Sequence, residues 1–277
     1  MSKKIFNYEK WNGQLKELSE KYQNAEEFPH IAIDDFIEAK PIENALSSFP
    51  EIKSNNWNNY MHFNEKKLGM SKAELIPESI MEVINELCSP EFIKFLEELT
   101  GIKNIIPDPD LEGGGIHQIP KGGFLNIHAD FTVHPRHRNW RRRINVLVYL
   151  NKDWKDEYGG NLELWTKDMK KSFSKVLPIF NRVVVFNTDK DSFHGHPDPL
   201  TCPDGMSRKS IALYYYTDEE ENPYKSPTNY KGRPDDGIKK LFIYLDKKAV
   251  LIYNALKGVF GISDEFTGKI LKMFRKD

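Results

Sequence analysis

The residues with most chemical potential in this 277-residue chain are His128 and Asp130, within Asn126-Ile127-His128-Ala129-Asp130, and His194, within Phe193-His194-Gly195-His196. Two imidazoles and one carboxylate are the ligand set of a mononuclear non-haem iron(II) centre. They occupy one face of the metal and leave its other positions open for a co-substrate and oxygen. The set has no third histidine to favour zinc hydrolysis and no thiolate. Arg208 follows at the head of a strand-like run, Lys209–Tyr216. A guanidinium there can grip a carboxylate with two parallel hydrogen bonds, as a dicarboxylate co-substrate would require.

Spacing supports this chemistry. Residues i and i+2 of a strand share a face, so His128 and Asp130 can aim inward together. His194 lies 66 positions later (194 − 128), on a second predicted strand. Arg208 lies 14 positions after His194 (208 − 194). Alternation places Arg208, Ser210, Ala212 and Tyr214 on one face, and Lys209, Ile211 and Leu213 on the other. Tyr149 can donate its phenol to the same carboxylate as Arg208. His194 is taken as the third ligand. His196, facing the same side, is the alternative, with a second role in lining the site for substrate. His117 reads as a satisfied interior histidine. Two blander readings compete: a hydrogen-bonded surface His128–Asp130 pair, and a different metal in the same ligands.

Strands and helices must deliver these groups. Tyr8, Trp11, Leu15, Leu18 and Tyr22 predict an amphipathic helix over 8–23, and His30–Phe36 alternates like a strand. Pro41–Phe49, 77–87 and 90–99 read as helices, with Pro77, Pro90 and Gly101 as boundary signals. Residues 51–72 show no period. From 103 onward, short β-like runs follow one another: Gly115–Ile119, Phe124–His128, Ile144–Leu150, Asn161–Trp165, Arg182–Asn187, Asp191–His196 and Lys209–Thr217. That rhythm predicts a sandwich or jelly-roll barrel. Residues 218–236 read as a connection, and 237–258 and 263–275 as helices. The expectation is one domain over 1–277. It has a mostly helical N-terminal support (1–102), a β core (103–217) and C-terminal helices (237–277).

Composition sets the outer bounds. Charged residues make up 29% and hydrophobic residues 39%, an ordinary globular balance. A net charge of −1 gives no global field for nucleic acid, and no nucleic-acid partner is expected. Cys88 and Cys202 make neither a metal spacing nor a disulfide framework. The first residues lack an apolar signal core, no segment has the length of a membrane span, and a cytoplasmic setting is the expectation.

Taken together, the segments Gly113–Gln118, Gly122–Asp130, Asn145–Trp154, Gly159–Trp165, Phe193–His196 and Arg208–Tyr216 resemble the iron(II)- and 2-oxoglutarate-dependent oxygenase superfamily, in its prolyl 4-hydroxylase-like branch. The resemblance covers about 105–217. It implies a mainly β fold with flanking helices, a double-stranded β-helix (jelly-roll) core. It also implies Fe(II) held by His128, Asp130 and His194, with 2-oxoglutarate meeting Arg208 and Tyr149. Oxygen is then the oxidant, with ascorbate a candidate reductant, and the implied reaction is hydroxylation of an unactivated C–H bond with release of succinate. Asp130 fills the position that a halide takes in halogenating relatives, so hydroxylation is the expected outcome. The Pro197–Ser207 stretch is longer than usual in this branch, which leaves Lys209 as a fallback for Arg208.

The substrate is open; an anionic or a peptidyl molecule is the expectation. His134–Arg143 holds five arginines, and Arg138 and Arg142 are the candidates there for gripping it, against the reading of a solvated basic loop. The C-terminal helices could pack on the core or form a homodimer. The alternative function is a non-catalytic or 2-oxoglutarate-independent, cupin-like metal-binding jelly roll.

Overall fold

The computed structural model describes residues 4–219 and 223–248. Helix α1 (Tyr8–Gln23) starts where the Asn7 side chain accepts the Lys10 N–H, and it buries Trp11, Leu15, Leu18 and Tyr22 along one stripe. Strand β1 (His30–Ile33) and helix α2 (Ala39–Ser47) follow. Next come β2 (Asn58–His62) and β3 (Glu65–Met70), then α3 (Glu78–Leu87). Helix α4 (Pro90–Thr100) is bounded by its sequence signals: Ser89 caps the Phe92 N–H, Pro90 opens the first turn, and Gly101 ends the helix at φ 74°.

The remaining strands are β4 (Ile106–Pro107), β5 (Gly115–Pro120), β6 (Phe124–Ala129), β7 (Trp140–Tyr149), β8 (Leu162–Trp165), β9 (Ser172–Val176), β10 (Val183–Asn187), β11 (His194–His196), β12 (Ser207–Asp218) and β13 (Asn229–Tyr230). They join β1–β3 in one antiparallel sheet of order β1-β10-β7-β12-β5-β3-β6-β11-β8-β9, with β2, β4 and β13 attached at its sides. Strand β3 turns the corner: Leu68–Met70 pair with β5, and Glu65 and Lys66 pair with β6. The sheet thereby curls into a nearly closed jelly-roll barrel, the fold class expected.

The two faces of the sheet do different work. Ile211, Leu213 and Tyr215 of β12, with Val146, Val148, Val183 and Val185, pack in one apolar core against α1–α4. Phe6, Phe36, Phe92 and Phe95 meet edge-on or tilted within that core; such aromatic pairs add roughly 0.5–1.5 kcal/mol each beyond area burial. The opposite face of β12, with Arg208, Ser210 and Tyr214, lines the barrel interior. The helices thus brace one wall, while the other wall carries chemistry.

Three boundaries differ from expectation. Beyond the expected strand at β1, the first hundred residues also supply β2 and β3 to the sheet. Strand β7 begins at Trp140, not Ile144, because Arg141–Arg143 continue the strand. The connecting stretch contains β13, which pairs with β6 at His128 and Ala129. Residues 239–248 are helical. The rest of the expected C-terminal helices, and with them the dimer expectation, lie outside the described residues. No helix among the described residues is long and apolar enough to cross a membrane.

Candidate active site

Antiparallel pairing of β6 and β11 sets His128 opposite His194, and Asp130 follows directly after β6. His128 Nε2 lies 3.5 Å from Asp130 Oδ1, and His194 Nε2 lies 3.5 Å from Asp130 Oδ2. One ligand atom from each of the three side chains falls within 4.8 Å of the others. Each ring is fixed through its far nitrogen: His128 Nδ1 donates to the Asn126 carbonyl (2.9 Å) and His194 Nδ1 to the Ser192 carbonyl (3.0 Å). That hydrogen bond sets the tautomer and leaves Nε2 as a lone pair facing the cluster. Gly195 allows the close pairing, because a Cβ there would sit 2.8 Å from the Leu125 carbonyl oxygen. Burial pushes the His194 imidazole down to about 4, with Asp130 opposing and His128 adding to the fall, so it stays neutral at ordinary pH.

Asp130 is clamped from behind. Arg142 Nη2 reaches Asp130 Oδ2 at 2.9 Å, and Asn145 Nδ2 donates to the same oxygen at 2.8 Å. Arg142 also donates from Nε and Nη2 to Asn145 Oδ1. Its guanidinium lies 3.4 Å from the Tyr214 ring centre and 4.7 Å from that of Phe131. Burial would raise the Asp130 carboxyl, but Arg142, His194 and His128 hold it well below the usual carboxylate range.

Arg142, expected at a substrate rim, is therefore buried behind a candidate ligand. Most of the arginine-rich segment is neutralised too. Arg136 pairs with Asp110 and Glu112, Arg141 with Asp189 and Glu219, and Arg143 with Glu219. Arg138 stands exposed on the loop.

A second polar group lies deeper in the barrel. Arg208 is 4% exposed; its Nε donates to the Gly160 carbonyl (2.8 Å) and its Nη2 to Tyr149 Oη (3.1 Å). Gly160 adopts φ 74°, and a Cβ on it would press to 3.0 Å of Arg208 Cδ, so the glycine makes room for the guanidinium. Burial pushes the Tyr149 phenol up, against the pull of Arg208, and keeps its proton available. Among the described residues no carboxylate pairs with Arg208. Phe186 links the two groups: it packs with Tyr149 in one apolar cluster, and its ring centre lies 4.7 Å from that of His194. His196 is buried and is not among the three converging ligands. His117, whose imidazole burial pushes down to about 3, sits across from Ser210. Lys209 faces away and donates to Ser207 Oγ.

The sequence and the architecture can now be set against known proteins. Residues 114–216 match the 2OG-Fe(II) oxygenase superfamily. A prolyl-4-hydroxylase from Pseudomonas putida superposes with a TM-score of 0.51 at 15% identity, covering 74% of this chain and 99% of the other. A prolyl 4-hydroxylase structure from Phytophthora capsici gives a TM-score of 0.51 at 18% identity, covering 87% of this chain and 75% of the other. No curated protein matches the sequence.

A cleft of about 630 Å³ opens beside the His–Asp–His group, lined among others by Phe131, Tyr230, His62, Glu65, Lys225 and Lys247. Tyr230 of β13 packs its ring 5.4 Å from that of His128. Across the cleft, His62 is held between Glu65 (2.8 Å) and Asp246 (2.9 Å), which ties the 239–248 helix to β2 and β3. Tyr230, His62, Glu65 and Lys67 were not among the sequence candidates. In β3, Glu65, Lys67 and Gly69 share the interior face, and Leu68 and Met70 point to the core.

Proposed function

We propose that the protein is an iron(II)- and 2-oxoglutarate-dependent dioxygenase that hydroxylates a C–H bond of its substrate. The observation that carries this reading is Arg208: a buried guanidinium with no protein carboxylate, in the same barrel interior as two neutral-donor imidazoles and a carboxylate. A buried unpaired cation is strongly unfavourable unless a bound anion completes it. A dicarboxylate with one end at the metal and the other at Arg208 meets that need.

The donor set fits the metal. Two imidazole nitrogens and a carboxylate oxygen converge, their outward atoms are already hydrogen-bonded, and this N,N,O set suits Fe(II). His128, Asp130 and His194 would hold the ion, and Arg208 and Tyr149 the far carboxylate. The bound iron supplies the oxidation chemistry, with oxygen as oxidant and 2-oxoglutarate as the co-substrate consumed.

The chain's own residues do the rest. Arg142 and Asn145 fix the Asp130 carboxylate and keep one of its oxygens occupied, which orients the other towards the histidines. Phe186, Leu164 and Val184 pack with Tyr149 in one buried apolar cluster, and a low-dielectric wall of this kind strengthens charge interactions beside it. Phe131 and Tyr230 form the cleft wall nearest the ligands, the side from which substrate would approach. Peptidyl proline is the first substrate to test, since both structural neighbours named above are prolyl 4-hydroxylases. The exposed Arg138 remains the candidate on this loop for an acidic flank.

The test is co-substrate turnover. Purified protein with Fe(II), oxygen and 2-oxoglutarate should release succinate, and Asp130→Ala should abolish it. Arg208→Ala should weaken 2-oxoglutarate binding by roughly tenfold or more, the loss of a charged hydrogen-bonding partner. A screen of peptides, amino acids, sugars and nucleotides, read by mass spectrometry for one added oxygen, would then name the substrate. Succinate release that persists in Asp130→Ala, or Arg208→Ala binding equal to wild type, would overturn the reading.

A further inference from the structure

Among the described residues, His196 is a buried polar side chain of the barrel interior used by neither polar group above. His196 is 2% exposed, and neither its Nδ1 nor its Nε2 has a hydrogen-bond partner among the described residues. The protein pairs neither nitrogen, a condition that buried polar groups in folded proteins rarely show.

The surroundings say what is missing. The groups acting electrostatically on the ring are Arg208, Lys67, His128 and His117. Lys67 already has an anion, with its Nζ 3.0 Å from Glu65 Oε2. Arg208 has no carboxylate partner among the described residues. The ring therefore lies near an uncompensated guanidinium, and its own N–H lacks an acceptor among the described residues. Nor has the backbone slack to turn the ring outward: Gly195 lies so tight on β6 that a Cβ would meet the Leu125 and Asn126 carbonyl oxygens at 2.8 and 2.9 Å.

We propose that His196 is a co-substrate-binding residue, donating its N–H to the same far carboxylate of 2-oxoglutarate that Arg208 and Tyr149 hold. This rests on the dioxygenase reading above. It adds that the sequence His194-Gly195-His196 places a metal ligand and a carboxylate donor on one three-residue strand. It also predicts discrimination between dicarboxylate and monocarboxylate 2-oxo acids by an imidazole as well as by a guanidinium.

The test is direct binding under anaerobic conditions, with no turnover. Iron(II) is added first and its stoichiometry measured; 2-oxoglutarate is then titrated calorimetrically into wild type, His196→Leu and His196→Gln. The expected result is at least a tenfold weaker 2-oxoglutarate affinity in His196→Leu, with iron stoichiometry unchanged and much of the affinity restored in His196→Gln, which can still donate. Pyruvate, lacking the far carboxylate, should bind wild type and His196→Leu alike. Without ligand, His196→Leu should melt no lower than wild type, because it removes two unmade hydrogen bonds. If iron-loaded wild type binds 2-oxoglutarate and His196→Leu binds it within twofold, the proposal is overturned and the dioxygenase reading stands. If iron-loaded wild type fails to bind 2-oxoglutarate, both fall together.

Discussion

Two buried histidine–aspartate groups stand a few residues apart in this chain, and their hydrogen bonds differ. In the first, His128 and His194 each spend Nδ1 on a backbone carbonyl and turn Nε2 towards Asp130. In the second, His134 Nε2 donates to Asp108 Oδ1 at 3.2 Å, and its Nδ1 accepts the backbone N–H groups of Arg136 and His137. Asp108 in turn accepts from the Asp110 and Glu112 backbone. Asp110 would complete a three-residue set by distance, yet it is paired with Arg136. Both groups bring histidine and aspartate within a ligand's reach, two imidazoles and one carboxylate in the first and one imidazole and two carboxylates in the second. The difference is whether lone pairs are left over. The first group converges free lone pairs on one point; the second has committed its ring nitrogens and both carboxylate oxygens to holding a loop.

That contrast can be broken by mutation, and the effects should differ in kind. The largest expected effect is His128→Ala, which removes one of three metal ligands. Bound iron, measured by metal analysis after desalting, should fall below one-tenth per chain and succinate release to background. His134→Ala should leave iron stoichiometry unchanged but destabilise the fold by about 3 kcal/mol, as for breaking a buried pair. In a domain of this size that lowers the melting temperature by roughly 6–12 °C. Equal iron loss in both variants would erase the distinction.

Smaller effects sharpen it. Arg142→Met keeps the ligands but leaves Asp130 Oδ2 held by Asn145 alone, and it should weaken iron affinity or turnover by about 10–100-fold, the usual penalty for losing a group that orients a ligand. The smallest effect concerns a third histidine. Although burial works against it, Glu65 and Asp246 raise the His62 pKa, so its contribution is fully present below about pH 6.5. It is lost as pH rises through the raised folded value. Glu65, held low by Lys67 and His62 against its own burial, contributes above its unfolded pKa, and that contribution is lost only in acid. Thermal melts from pH 5 to 9 should therefore show a stability decline on the alkaline side of pH 6.5 that His62→Gln flattens.

Much of the site was legible because strand periodicity is strict. His128, Asp130 and His194 share one side of neighbouring strands, and Arg208 falls in the phase that alternation assigns to it. Helices α1 and α4 were legible from apolar spacing and caps. The illegible parts have a common cause: charge on the inward side. Strands β2 and β3 read as shapeless because Glu65 and Lys67 face a polar barrel interior, which cancels the usual alternation. The inward Arg142 hid the start of β7 in the same way, and it read as a rim residue because nothing in one dimension shows that Asp130 lies beside it. Tyr230 sits in a polar, turn-rich stretch, and only its pairing with β6 brings it against His128.

The central claim is that His128, Asp130 and His194 form an iron site to which 2-oxoglutarate binds, while the neighbouring histidine–aspartate pair is structural. Anaerobic titration with iron(II) and 2-oxoglutarate, followed by visible absorption, tests it most directly. The account predicts a weak metal-to-ligand charge-transfer band saturating at one iron per chain, retained in His134→Ala and absent in His128→Ala. A folded wild-type protein without the band, or a band that survives His128→Ala, would contradict it.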